Sequence, residues 1–158
     1  MRLLVTRPEE DSAPLADALV ALGHEVVMAP LLTIRFLDDA FLPEGRWRAL
    51  LFTSANGVRA LVRRKEALRL LPLPVFAVGP ASADAARAAG FVTVEAAGGD
   101  VTSLADHVSG ALKPEGGPLL HVAGSTVAGD LAGSLGAQGF EVKRAVLYEA
   151  VPAHVLPE

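Results

Sequence analysis

The sequence predicts an α/β fold with parallel strands, arranged as two domains joined by a double linker, the first domain only partly present in this chain. Three observations lead there. Apolar runs of strand length alternate with helix patterns along the whole chain. Several of those runs are continuously apolar, as strands covered on both faces must be. Two extended segments without a convincing following helix, Pro30–Pro43 and Ala145–Val155, bracket a complete α/β block, and domain boundaries fall naturally in such segments.

The strand candidates, in order, are Leu3–Thr6, Glu25–Ala29, Ala49–Thr53, Val75–Val78, Val92–Glu95, Leu119–Val122 and Glu141–Leu147. The helix candidates between them are Ala13–Leu22, Ala55–Leu70, Pro80–Ala89, Thr102–Leu112 and Thr126–Ala137. Ser12, Ser54 and Ser125 stand where an N-cap acceptor is needed, and Pro80 suits a first helical turn. Gly23, Gly90 and Gly139 follow helix patterns, where a left-handed residue ends the helix. The cadence Leu15–Val26 returns at Ala83–Val94 and Leu131–Val142, as repeated helix–Gly–strand units do. The layout assigns residues 1–34 to the first part of domain 1, 35–147 to a complete domain 2, and 148–158 to a return linker. Two strands and one helix cannot bury a core alone, so the expectation is a truncated chain or completion by another chain.

Composition narrows the function. Of 158 residues, 51% are apolar, which supplies a core, and only 5% are aromatic, which leaves little to stack nucleic-acid bases. The net charge of −4 gives no basic footprint for nucleic acid. Cysteine is absent, which removes disulfides, thiolate catalysis and Cys-ligated metals. His24, His107, His121 and His154 are scattered without i,i+4 spacing, so no metal is expected. His121 falls in a buried strand and reads as a hydrogen-bonded core residue. The N-terminus does not read as a signal peptide and no run approaches a membrane span, so a cytoplasmic protein is expected.

Ligands of open α/β sheets bind beyond the carboxyl ends of the strands. The loops there are Thr6-Arg7-Pro8-Glu9, Thr53-Ser54-Ala55-Asn56-Gly57, Val78-Gly79-Pro80-Ala81-Ser82 and Ala123-Gly124-Ser125-Thr126. Three lead almost directly into helices, whose N-termini suit carboxylates or phosphates. The dinucleotide G-x-G-x-x-G, the P-loop and the G-x-S-x-G elbow are absent. Thr6-Arg7-Pro8 stands where a response regulator carries acids. Arg59, Arg63, Arg64 and Lys65 form a basic helix stretch, either solvated or guiding an acidic substrate. Asp38 and Asp39 read as loop solvation. Tyr148, the only tyrosine, lies in the returning segment, where a phenol either donates a proton or simply packs.

At these loops the sequence resembles the uroporphyrinogen-III synthase family along its whole length. The resemblance rests on Leu4–Pro8, Gly23, Pro30-Leu31, Phe52–Val58, Phe76–Ala83, and Leu119 to Tyr148 with Ala123-Gly124-Ser125, Leu135, Gly139 and Val142. It implies two flavodoxin-like α/β domains joined by a two-stranded connection, with the active site in the cleft. It implies a cyclising hydro-lyase of haem biosynthesis. Hydroxymethylbilane loses its hydroxyl to give an azafulvene cation, which closes through a spiro intermediate to uroporphyrinogen III with the last ring inverted. Carboxylate-gripping residues implied are Thr6, Arg7, Ser54, Ala55, Asn56, Gly57, Gly79, Pro80, Ala81, Ser82, Gly124, Ser125 and Thr126, with Tyr148 assisting water loss. No cofactor is implied, and the complete enzyme is expected to be a monomer, with self-association open to a fragment. Ser82 replaces a frequent threonine, and Ala123 a frequent arginine. The competing readings are a non-enzymatic anion-binding or regulatory module and a flavodoxin-like flavin carrier.

Overall fold

The computed structural model describes residues 1–153, so His154 and Pro157 of the returning segment lie outside the described residues. The chain divides into two compact units, one comprising Met1–Arg35 with the described residues from Ala150 onward, the other Phe36–Glu149.

In the first unit, β1 (Arg2–Val5) pairs in parallel with β2 (Glu25–Met28) across α1 (Glu9–Ala21). Helix α1 starts four residues before the sequence reading placed it. Its first turn holds Glu9, Glu10 and Asp11, which favour the positive dipole end, and Pro14 is accommodated inside the helix. Ser12 is therefore not an N-cap. It is buried, and its Oγ donates to the carbonyls of Arg7 and Pro8, each at 2.9 Å. Gly23 ends the unit's helix at φ +84°, as expected. A two-stranded sheet with one helix covers little apolar surface, and Leu4, Leu15, Val20 and Leu22 remain exposed.

The second unit carries a mixed sheet in which parallel strands dominate. Its strands are β3 (Leu32–Phe36), β4 (Ala49–Phe52), β5 (Val75–Ala77), β6 (Val94–Ala96), β7 (Leu119–Gly124) and β8 (Val142–Pro152), in the order β3-β8-β7-β4-β5-β6; Leu32–Arg35 of β3 and Ala150–Pro152 of β8 are counted with the first unit. The four pairings from β8 to β6 are parallel. The extended segment after Pro30 joins this sheet as β3. It runs antiparallel to β8, since Leu37 N–H donates to Leu147 O and Ala153 N–H to Leu31 O, both at 2.8 Å. Counted from β4, the five parallel strands stand in the doubly wound order 3-2-1-4-5. The flavodoxin-like order, 2-1-3-4-5, is not the order of this sheet.

Helices α2 (Ala55–Val62), α3 (Ala67–Leu70), α4 (Pro80–Ala88), α5 (Val101–Ala111) and α6 (Leu131–Gly136), with a 3-10 turn at Pro114–Gly116, complete the unit. Strands β4, β5 and β7 are buried throughout, which is why they read as continuous apolar runs. Ala49, Leu51, Phe76 and Leu119 pack with Leu104, Ala105 and Val108 of α5 and with Leu131 and Leu135 of α6. Phe52 meets Phe91 edge-on at 6.0 Å and lies beneath Gly57 of α2.

Candidate functional site

The parallel order reverses between β4 and β7, so the topological switch point lies there, where open sheets of this kind bind ligands. A cavity of about 560 Å³ opens at those carboxyl ends. Thr53 and Ser54 line it at the exit of β4 and Val78 at the exit of β5. Gly99, Asp100, Val101 and Thr102 line it at the start of α5. The loop Thr126–Gly129 and Tyr148 of β8 close the lining.

Two helix N-termini face this space. The Ser54 hydroxyl caps α2 by accepting from Asn56 N–H at 3.2 Å. Asp100 caps α5 through a reciprocal box: its carboxylate accepts from Ser103 N–H at 2.7 Å, and Ser103 Oγ accepts from Asp100 N–H at 3.3 Å. The backbone N–H of Ser103, first, and its hydroxyl hold the Asp100 carboxyl below its ordinary range. In α2 the Gly57 N–H also turns back on the Ser54 carbonyl, at 3.1 Å; first-turn N–H groups left without such a partner are, in general, suited to anions.

Tyr148 is 8% exposed and its ring packs against Gly124. A Cβ on Gly124 would stand 2.6 Å from Tyr148 Cε2, so only glycine admits the ring at this distance. The two residues are brought opposite each other by a register shift between Ala123 and Gly124. Ser125 N–H donates to Tyr148 O at 2.9 Å, and Arg144 Nη2 donates to the carbonyls of Gly124 at 2.7 Å and Ser125 at 3.2 Å. The backbone around the phenol is thus tied on both sides.

His121, 3% exposed, is in register with Leu51 and Arg144, and its Nε2 lies 3.1 Å from Thr53 Oγ1. Burial, and secondly the charge of Arg144, push its pKa down to about 4, so the imidazole is uncharged at neutral pH. It is the hydrogen-bonded core histidine that its strand predicted.

Of the residues singled out in the sequence, Ser54, Thr126 and Tyr148 share the cavity wall. Gly57 packs: its Cβ would meet Val122 O at 2.8 Å, so its absence lets α2 lie close on β7. Asn56 is buried, with Oδ1 accepting from Arg59 Nη1 at 2.7 Å. Gly79 caps α4 in extended backbone, followed by Pro80 and Ala81 on the surface and Ser82 buried. Thr6 and Arg7 leave β1 in the first unit, exposed. Helix α6 starts at Leu131 under an Asp130 cap, so Ser125 is no N-cap and Gly124–Thr126 leads into a loop. The sequence reading placed α5 from Thr102, within one residue of its start, but did not single out the Asp100 cap, for which Asp100 followed by Ser103 was the available signal. Asp38 is not merely solvated: it takes Arg63 in a fork at 2.7 Å for each bond, and its carbonyl accepts from Arg64. Arg63 also stacks on Phe36 at 4.8 Å, so this part of the basic stretch braces a loop. Among the described residues no cluster of metal ligands occurs, and no helix is long and apolar enough to cross a membrane.

A family model for uroporphyrinogen-III synthase HemD matches residues 13–158. The chain belongs to the uroporphyrinogen-III synthase family. Solved synthases share its fold. A substituted uroporphyrinogen III synthase from the extremely thermophilic bacterium Thermus thermophilus is 18% identical with a TM-score of 0.63, over 97% of this chain and 64% of that one. The uroporphyrinogen-III synthetase of Helicobacter pylori is 21% identical with a TM-score of 0.59, over 84% and 58%. The wild-type Thermus thermophilus synthase is 22% identical with a TM-score of 0.54, over 97% and 63%. The chain therefore spans under two thirds of the length of these synthases. Comparison with curated protein sequences finds no match.

Proposed function

We propose that this chain carries out the uroporphyrinogen-III synthase reaction, a lyase step of haem biosynthesis in the cytoplasm that converts hydroxymethylbilane into uroporphyrinogen III and water. The observation that carries the reading is the cavity at the switch point, where two capped helix N-termini and a buried phenol converge. Helix N-termini are suited to the acetate and propionate groups of the bilane. The bilane is already reactive, so the work of the site is to position its ends and to exclude the unassisted closure.

In this reading Tyr148 donates its proton to the departing hydroxyl, the carbon–oxygen bond breaks, and water leaves an azafulvene cation. The substituted carbon of the last ring attacks that cation, and the spiro intermediate fragments and recloses with the ring inverted. The proton released when the pyrroles regain aromaticity restores the phenol. Asp100, held ionised on the same wall, offers the cation a counter-charge.

Ser54 and Thr126 serve as carboxylate contacts of the cavity, with Ala55, Asn56, Gly57, Gly124 and Ser125 shaping its loops. Gly79, Pro80, Ala81 and Ser82 at α4, and Thr6 and Arg7 on the first unit, are proposed as further carboxylate contacts. The two-domain layout with a paired connection belongs to the same reading.

The rate at which freshly generated hydroxymethylbilane disappears tests it. The chain is expected to consume the bilane faster than buffer alone, and Tyr148→Phe to slow that consumption by roughly a hundredfold at unchanged KM. A wild-type rate equal to that of buffer would overturn the reading. An unchanged Tyr148→Phe rate would leave the ring a packing element over Gly124.

A further inference from the structure

Thr53 is the first residue beyond β4 and lines the cavity. Behind it stands His121, the one imidazole in an otherwise apolar, fully buried strand. A buried imidazole requires hydrogen-bond partners, and Thr53 Oγ1 lies 3.1 Å from its Nε2. Leu51 and His121 are in register, and Thr53 is two residues past Leu51, hence on the same face of the sheet.

We infer that Thr53 is a substrate-contacting residue of the cavity and that His121 positions it, donating Nε2–H to the Thr53 oxygen so that the hydroxyl hydrogen is left for a carboxylate of the ligand. This rests on the synthase reading for the identity of that ligand. The neutral ring has one proton to place. On Nε2 it lies toward β4, away from the positive charge of Arg144, which stands in register on β8 at the other side of β7. On the other nitrogen it would make Thr53 the donor to histidine and leave only oxygen lone pairs toward the cavity, which a carboxylate does not accept. The pairing makes a threonine, whose hydroxyl otherwise rotates, into a fixed donor, and a fixed donor is what discrimination between the two ends of a bilane requires.

Two readouts test this. The nitrogen shifts of His121 in the ligand-free protein are expected to show the Nε2–H tautomer, which Thr53→Val perturbs. Binding of uroporphyrin III, the oxidised form of the product, is expected to weaken roughly ten- to hundredfold in Thr53→Val and in His121→Leu. It is expected to return in Thr53→Ser, which keeps the hydroxyl, and in His121→Gln, which keeps an N–H donor. A proton on the other ring nitrogen, or wild-type binding by Thr53→Val, overturns the inference. If the wild type binds no uroporphyrin, the ligand half of the inference fails, while the synthase reading is judged separately by bilane consumption. The tautomer, read without ligand, reports on the His121–Thr53 pair independently.

Discussion

At the scale of single residues, two buried groups set testable behaviour. His121 titrates at about 4 in the folded chain and near 6.5 when unfolded. The unfolded state therefore binds the extra proton first as the pH drops. Stability conferred by the uncharged ring is complete above about 6.5 and is lost as the pH falls toward about 4, by on the order of 3 kcal/mol. Urea midpoints measured between those limits are expected to fall in the wild type and to stay nearly level in His121→Leu. A parallel fall in both would assign the acid sensitivity to other groups. Gly124 makes the second case. Gly124→Ala drives a methyl to within 2.6 Å of the Tyr148 ring, so ring or strand must shift, at a cost of about 1–3 kcal/mol. Thermal unfolding reads the cost, and bilane consumption is expected to fall with it because the phenol leaves its place. Retained activity in Gly124→Ala would show that the phenol need not sit where it does.

At the scale of elements, what was legible followed the strength of the local signal. Strands β4, β5 and β7 are covered on both faces and announce themselves as unbroken apolar runs. Gly90 and Gly139 end helix–Gly–strand turns at φ +106° and +91°, where their cadence placed them. Helix starts were harder to read. Ser12 and Ser125 have the chemistry of caps, but acidic residues after Pro8 begin α1 earlier, and Asp130 captures the start of α6 by accepting from Gly133 N–H at 2.9 Å. The basic run after Arg59 was read as one helix. The chain instead turns between α2 and α3, with Arg63 and Arg64 drawn to Asp38, a partner 25 and 26 residues away that no local pattern announces. Gly57 shows the same limit. Its loop reads as ligand-facing, yet its lack of a side chain seats α2 against the Val122 carbonyl. Gly57→Ala is expected to destabilise by about 1–3 kcal/mol, measured by chemical unfolding. A neutral effect would mean that α2 can slide on the sheet.

At the scale of the whole molecule, the α/β class and the loops at the carboxyl ends of the strands were readable, because parallel strands and their crossovers impose both. The composition of the cavity wall beyond Thr53, Ser54, Val78, Thr126 and Tyr148 was not. It depends on strand order, which brings the start of α5 and the loop Thr126–Gly129 beside Thr53 and Tyr148 across long sequence separations. On the proposed function, these pieces serve a reaction whose difficulty is steering rather than bond activation. The measurement that addresses this most directly is the isomer composition of the uroporphyrinogen formed from freshly generated hydroxymethylbilane, determined as the oxidised porphyrins. A chain that positions both ends of the substrate yields the type III isomer in excess over a control without protein. Type I alone, in the presence and absence of the chain, would contradict the proposed activity.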